Sequence, residues 1–221
     1  MQTSLDKPAS RIKRGQLRKT NKSGESTIEK ILSSARTVLV RDGIEKFTVE
    51  RIAREAQITK GTLLYHFHDK EQLLERMMTG YVEHLEERLN EGIAAVRASR
   101  PDIAPELEVV AGFICWYRDF RRQNAAYASF GVSILSMSIN SEKMRRPVLE
   151  WYRRVFARLR AAGNSDILAA VLMLEGLFYL RHLQLDMTTD EEIELILRKI
   201  EIKLGLAQKE PVVLPMQASR Q

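Results

Sequence analysis

Between residues 59 and 70 the chain reads Thr-Lys-Gly-Thr-Leu-Leu-Tyr-His-Phe-His-Asp-Lys, which gathers cationic and hydrogen-bonding side chains around a glycine. Lys60 and Lys70 supply positive charge. Thr59 and Thr62 are short donors and acceptors, and Tyr65 and His66 are neutral hydrogen-bonders one turn on. Gly61 costs a helix about 1 kcal/mol against alanine, a loss that makes sense where another backbone must come close. Thr59 is an N-cap by type. The amides after it and the positive end of the helix dipole then face outward, a setting that suits a phosphate. Lys60, Gly61 and Thr62 are types that belong on the floor of a groove, with Tyr65 and His66 at its rim. The chemistry implied is recognition of an anionic double helix.

Other chemistries find no support. There is no Ser/His/Asp order, paired-carboxylate signature, phosphate loop or dinucleotide fingerprint, so no enzyme activity and no cofactor are expected. His66 and His68, two residues apart, lie on different sides of a helix, and no cysteine or carboxylate cluster stands at ligand spacing, so no metal is expected. One cysteine, Cys115, excludes an internal disulfide and fits a reducing compartment. No apolar run reaches the roughly 18 residues of a membrane span, and the N-terminal stretch has no apolar leader core, so a cytoplasmic location is expected.

The elements that must position these residues are helical. Of 221 residues, 44% are hydrophobic and 29% charged, and the 3.6-residue period runs almost unbroken after residue 25, with no sustained alternation of period two. Residues 1–24 carry seven basic side chains against Asp6 alone, which is the whole excess charge of the chain. So polar a segment cannot bury enough surface to fold alone and is expected to be a disordered basic arm, either simply solvated or neutralising phosphates. Ser26-Thr27-Ile28-Glu29 has capping-box spacing and is expected to open the first helix, which ends near Asp42-Gly43. Thr48 caps a second helix over residues 49–56, Thr59 a third through about His66, and Asp69 a long fourth of about 28 residues. Ser99-Arg100-Pro101 breaks the pattern. Helices over about 106–123, 125–137, 142–162 and 166–186 follow, and Thr189 with Glu192 caps a last one to about Leu204. The reading is all-α, about nine helices: a helical domain over 25–75, a larger one over 76–206, and a disordered tail over 207–221.

Two short helices joined by a tight turn at Gln57-Ile58 have the spacing of a helix-turn-helix. Ala53 is small where the helices must cross, and Ile52, Ala56, Ile58 and Leu63 supply the facing apolar contacts. Thr48-Val49, Ile52-Ala53, Ala56, Ile58 through Leu63, Tyr65, Phe67, Lys70-Glu71 and Leu73-Leu74 together closely resemble the N-terminal domain of the tetracycline-repressor (TetR) family of bacterial transcriptional regulators. Gln57 departs from the glycine usual in that family's turn. The resemblance implies a homodimeric, ligand-controlled repressor. It implies phosphate contacts from Thr48, Tyr65, His66 and Lys70, and base-edge contacts from Lys60, Gly61 and Thr62.

The larger domain should hold the partner surfaces. The last two helices carry more apolar faces than one small core absorbs, which points either to a four-helix bundle with a second copy or to packing within one chain. Phe113, Trp116, Tyr117, Phe120, Tyr127, Phe130, Met137, Trp151, Tyr152, Met173, Phe178 and His182 are either plain core or the lining of a mostly apolar effector cavity, with Glu175 and His182 as orienting polar groups. Glu175 and Arg181 sit in an otherwise apolar helix and must find partners: a symmetry mate, Arg153 or Arg154, or a ligand. Two functions remain on this reading. One is a repressor binding a palindromic operator and released by a small apolar effector. The other is a DNA-bound regulator, repressor or activator, whose larger domain recruits a protein.

Overall fold

The computed structural model describes the backbone of residues 12–122, 125–139, 141–183, 185 and 188–207, with the side chains of these except 12–24, 121, 122, 125–128 and 182. Among them are nine α-helices, one 3-10 turn and no strand. The helices are α1 (Ile12–Asp42), α2 (Val49–Glu55), α3 (Lys60–His66), α4 (Lys70–Ser99), α5 (Pro105–Arg122), α6 (Ala125–Ser138), α7 (Glu142–Ala161), α8 (Ser165–His182) and α9 (Asp190–Lys203). They fall into two compact units that divide between Met77 and Met78, within α4.

The first unit is held by one small core. Ile31, Ala35, Val38 and Leu39 fall on one face of α1, and all are buried, as the 3.6 period requires. Ile52 and Ala53 of α2 and its C-cap Ala56, Leu63 of α3, and Phe47 and Phe67 join them. Each large apolar side chain so buried stabilises the unit by about 1.5–3 kcal/mol. The caps read from the sequence are made. Thr48 Oγ1 accepts from the Arg51 amide at 3.3 Å, and Thr59 Oγ1 from the Thr62 amide at 3.0 Å. Asp69 accepts from the Gln72 amide at 2.7 Å, while the Gln72 side chain accepts from the His68 amide at 2.8 Å.

The first helix corrects the sequence reading. It does not open at Ser26 but runs back to Ile12, through half of the stretch expected to be an unfolded arm. Once a helix is nucleated by a buried face, each added residue gains a hydrogen bond at little cost. Leu17 and a run of Lys, Arg and Gln there are good helix formers. Residues 1–11, the rest of the expected arm, and 208–221, the expected tail, lie outside the described residues.

In the second unit α5 packs on α7 and α8, α6 packs on the same two, and α7 packs on α8. Trp151, Val155 and Leu159 of α7 and Val171 and Leu174 of α8 are buried at the centre. Helices α4 and α5 cross closely at two glycines: a Cβ on Gly92 would lie 2.4 Å from the Gly112 carbonyl oxygen. The capping box at Thr189 is formed in both directions, at 3.2 and 2.8 Å. Helix α8 stops at His182, four residues short of expectation, where the Leu183 amide turns back to the Tyr179 carbonyl. The α9 stripe of Ile193, Leu197, Ile200 and Leu204 is buried within its own chain, so that stripe is not free for a second copy. Arg118 of α5 fixes it there by bridging Glu194 and Glu201, each at 2.6 Å, with Lys203 on Asp166 at 2.8 Å.

Candidate nucleic-acid interface and ligand cavity

The buried side of α3 is Leu63, and its other face is open. Thr59, Lys60 and Gly61 are exposed, Thr62 and His66 are half-buried, and Tyr65 is 81% exposed. Tyrosine is a residue type enriched at interfaces, where its ring is covered and its hydroxyl finds a partner. A Cβ on Gly61 would meet only Thr59 Oγ1, at 3.7 Å, an ordinary contact. The protein itself therefore makes no demand for glycine at this position. Thr59 and Thr62 also join hydroxyl to hydroxyl at 2.9 Å, and Tyr65 and His66 meet edge to face at 5.2 Å. Thr48 and Lys70 are exposed on the same unit, with the Lys70 ammonium 5.4 Å from the centre of the Phe47 ring.

One feature was not read from the sequence. Lys60 donates to Glu50 of α2 at 2.6 Å, and that pairing holds the Glu50 carboxyl below its usual range. Spacing hid this pair: the two residues are ten apart, on different helices, and meet only because α2 and α3 cross.

The second feature is a cavity in the second unit. Phe113, Trp116, Tyr117 and Phe120 of α5, Trp151 of α7, and Glu175 and Phe178 of α8 line it, all from the sequence-derived set. Phe130 does not: it is buried edge-on against Tyr81, 6.0 Å between ring centres, because its side of α6 faces α4. The side chains of Tyr127 and His182 lie outside the described residues. Met173 is 43% exposed, on the outer face of α8. The cavity also takes walls the sequence did not single out: Tyr81 and Leu85 of α4, Leu135, Val148, Leu174 and Tyr179. Periodicity marked these as apolar stripe, and nothing in spacing tells a stripe that meets a hollow from one that meets a neighbour.

Within the cavity, Tyr152 donates its hydroxyl to Glu175 at 2.9 Å. Burial pushes the Glu175 carboxyl up to about 7, against the opposing pull of that hydrogen bond. Burial likewise raises the Tyr152 and Tyr179 hydroxyls, with the nearby Glu175 carboxylate adding to both. Arg181 pairs with Asp190 at 3.4 Å, and Arg154, one expected partner of Glu175, with Glu86 at 3.8 Å. Only about 30 Å³ is open to the centres of water molecules, room for one or two waters. The rings of Phe120 and Phe178 stand in its wall, their centres 4.9 Å apart. A wider hollow of about 300 Å³ lies among Arg100, Arg118, Asp119 and Glu201, but its charges already serve the fold, through Arg118 on Glu201 and Arg100 on the Leu206 carbonyl.

Comparison with known proteins bears on both features. The profile of the bacterial regulatory proteins of the tetR family matches residues 31–77, and that of the tetracyclin repressor-like C-terminal domain matches residues 113–202. The chain belongs to the TetR family. It is 33% identical over 69 residues to the HTH-type transcriptional regulator SrpR of Pseudomonas putida, a stretch covering 31% of this chain and 32% of that one. The matched stretches span from about a quarter to about half the length of the curated relatives. The fold resembles that of a Mesorhizobium loti protein described as a TetR-family transcriptional regulator, with a TM-score of 0.60 and 17% identity over 83% of this chain and 97% of that one. It also resembles the multidrug binding protein EbrR, solved with ethidium, with a TM-score of 0.55 and 21% identity over 79% and 97%. At such identities the likeness speaks for the fold alone.

The TetR family is one of transcriptional regulators, DNA-binding proteins that are not enzymes. Among the described residues, no helix is long and apolar enough to cross a membrane, and no three metal-ligating side chains gather. Its departure from the family's turn has a geometric cost. Gln57 sits at φ +52°, the left-handed conformation, two residues past the end of α2 and just beyond its C-cap Ala56. The Ile58 amide reaches back to the Ala53 carbonyl and the Gln57 amide to that of Arg54, both at 3.0 Å. This is the Schellman pattern in which glycine is usual. Glutamine pays for the same turn in strain.

Proposed function

We propose that this chain is a ligand-responsive dimeric repressor that places α3 of each copy in successive major grooves of a palindromic operator and is released by a small, largely apolar effector. The observation that carries the proposal is the open polar face of α3, where Gly61 is unconstrained by the protein and Tyr65 is bare. On this reading Lys60, Gly61 and Thr62 meet base edges, and Thr48, Thr59, Tyr65, His66 and Lys70 hold the phosphates. The dimer rests on the outer face of α8. Leu172, Met173 and Leu180 are exposed there around Gly176, whose missing Cβ leaves room for another helix to approach. A two-fold pairing through that face and the outer side of α9 sets two α3 helices about 34 Å apart to read two half-sites.

The effector acts from the cavity. Helix α4 starts with Lys70 and carries Tyr81 and Leu85 further along, in the cavity wall. A ligand that parts the aromatic rings shifts the protein between two arrangements only as far as it binds one better than the other. The alternative, recruitment of a protein partner with no effector, draws on the small free space in the cavity and on apolar side chains left bare, such as Leu149.

The test is duplex binding by the full chain at several salt concentrations, with and without a panel of small aromatic compounds. The proposal expects binding that weakens steeply with salt. It expects Lys70→Ala to lower affinity and reduce the salt slope by about one without changing sequence preference, and at least one compound to release the duplex. A salt-insensitive complex would overturn the DNA reading. Release by no compound, together with capture of a protein by the α8 face, would favour the alternative.

A further inference from the structure

Taking the cavity among α5, α7 and α8 as the effector site, we infer that it selects a flat aromatic compound with a single positive charge, seated against the Glu175 carboxylate and stacked among the rings of Phe120, Tyr152 and Phe178. The charge count comes from the lining. Of the residues that form the cavity wall, Glu175 alone carries a charged side chain, and its recorded hydrogen bond among the described residues is the one from Tyr152. Arg181 of the same helix pairs with Asp190, and Arg154 of α7, which the sequence offered as a counter-charge, pairs with Glu86. A buried carboxylate without a cation is costly, and the ordinary remedy of a structural arginine has not been taken. A ligand cation supplies that partner. An anion would meet the carboxylate head-on, and a neutral ligand would leave it to take up a proton instead of forming an ion pair.

The shape comes from the rings. Phe120 and Phe178 lie 4.9 Å apart, Trp151 and Tyr152 4.9 Å, Phe178 and Tyr179 5.5 Å. A flat ring system entering between Phe120 and Phe178 replaces ring-on-ring contacts by ring-on-ligand contacts of the same kind. Its charge also gains from the electron-rich faces around it. A second, independent feature marks the site as built for a guest. The Trp151 indole N–H is fully buried in the wall with no acceptor among the described residues. Buried donors are rarely left so, and a ligand acceptor placed there would satisfy it.

The experiment titrates the full-length protein, without DNA, with N-methylquinolinium, with its neutral isostere 1-methylnaphthalene and with the anion 1-naphthoate, following quenching of Trp116 and Trp151 and the heat of binding. The expected result is cation binding at least about tenfold tighter than the neutral isostere, with the anion weakest. In Glu175→Gln, whose amide oxygen still accepts from Tyr152, the cation should lose at least about tenfold while the neutral compound stays within about twofold. Equal or tighter binding of the neutral isostere, or no change for the cation in the variant, overturns the charge selection and leaves the cavity standing as an effector site. Binding of none of the three to folded protein overturns both.

Discussion

Replacing Glu175 by glutamine keeps the size of the side chain and its acceptor for the Tyr152 hydroxyl and removes the one carboxyl group among the cavity-lining residues. The carboxyl moves from 4.5 in a solvated chain to about 7 in the fold because burial disfavours the charged form. The folded protein therefore holds a proton on Glu175 that the unfolded chain has already released between those two values. Stability falls as pH rises through that window and levels off above it. At about 1.4 kcal/mol per pKa unit, the full loss is on the order of 3 kcal/mol. Glutamine has no such dependence, so the stability of Glu175→Gln minus that of the natural protein should grow by up to about 3 kcal/mol between pH 4.5 and 8. Other titrating groups, Asp42 among them, are common to both proteins and cancel in the difference. Urea unfolding followed by tryptophan fluorescence at fixed protein concentration measures it, with both tryptophans in the cavity wall as reporters. A difference that stays flat from pH 4.5 to 8 would refute the reasoning, because the carboxyl would then titrate as though solvated.

Three further outcomes are expected. Glu50→Gln frees the Lys60 ammonium and removes a negative charge beside the proposed duplex, so affinity for any duplex at low salt should rise several-fold; weaker binding, measured by anisotropy, would mean that Glu50 orients Lys60 for reading bases. Gln57→Gly relieves a left-handed strain of about 1–2 kcal/mol against a chain-entropy cost of about 0.5–1 kcal/mol. Stability measured by denaturant unfolding should therefore rise by up to about 1.5 kcal/mol, and a fall would show that the Gln57 side chain contributes more than its strain costs. Gly92→Ala drives a Cβ to 2.4 Å from the Gly112 carbonyl and forces α4 from α5, a loss of about 1–3 kcal/mol in thermal unfolding. An unchanged transition would mean the crossing has slack.

The elements of the first unit were legible because each has a local signature. Thr48, Thr59 and Asp69 announce where helices start, Gly43 and the turn at Gln57 where they stop, and Ile31 through Leu39 which face turns inward. The open face of α3 was legible for the same reason: a glycine in the first turn followed by a tyrosine and a histidine makes little sense as core. What was lost depends on position in space. The extension of α1 to Ile12 has no start signal, while the capping-box residues at Ser26 misled because a side chain able to cap can equally lie mid-helix. The pairs Lys60–Glu50 and Arg118–Glu201 join residues far apart in sequence. In the cavity, aromatic residue types pointed to Phe113, Trp116 and Phe178, whereas Leu85, Val148 and Leu174 read as stripe. Phe130 lies outside the cavity wall, and a core phenylalanine and a cavity phenylalanine carry the same pattern.

The account stands on α3 entering the major groove, and one measurement addresses that directly: selection of duplexes bound by the full chain from a random pool, repeated with Gly61→Leu. The expected result is enrichment of an inverted repeat whose half-sites lie about one helical turn apart, 10–10.5 base pairs centre to centre, or a small multiple of it. That enrichment should vanish for Gly61→Leu, because a side chain there fills the space the duplex backbone or base edge needs, while the protein, which leaves that position open, folds as before. The same motif enriched equally by both proteins, or no motif at all from the natural chain, would contradict it.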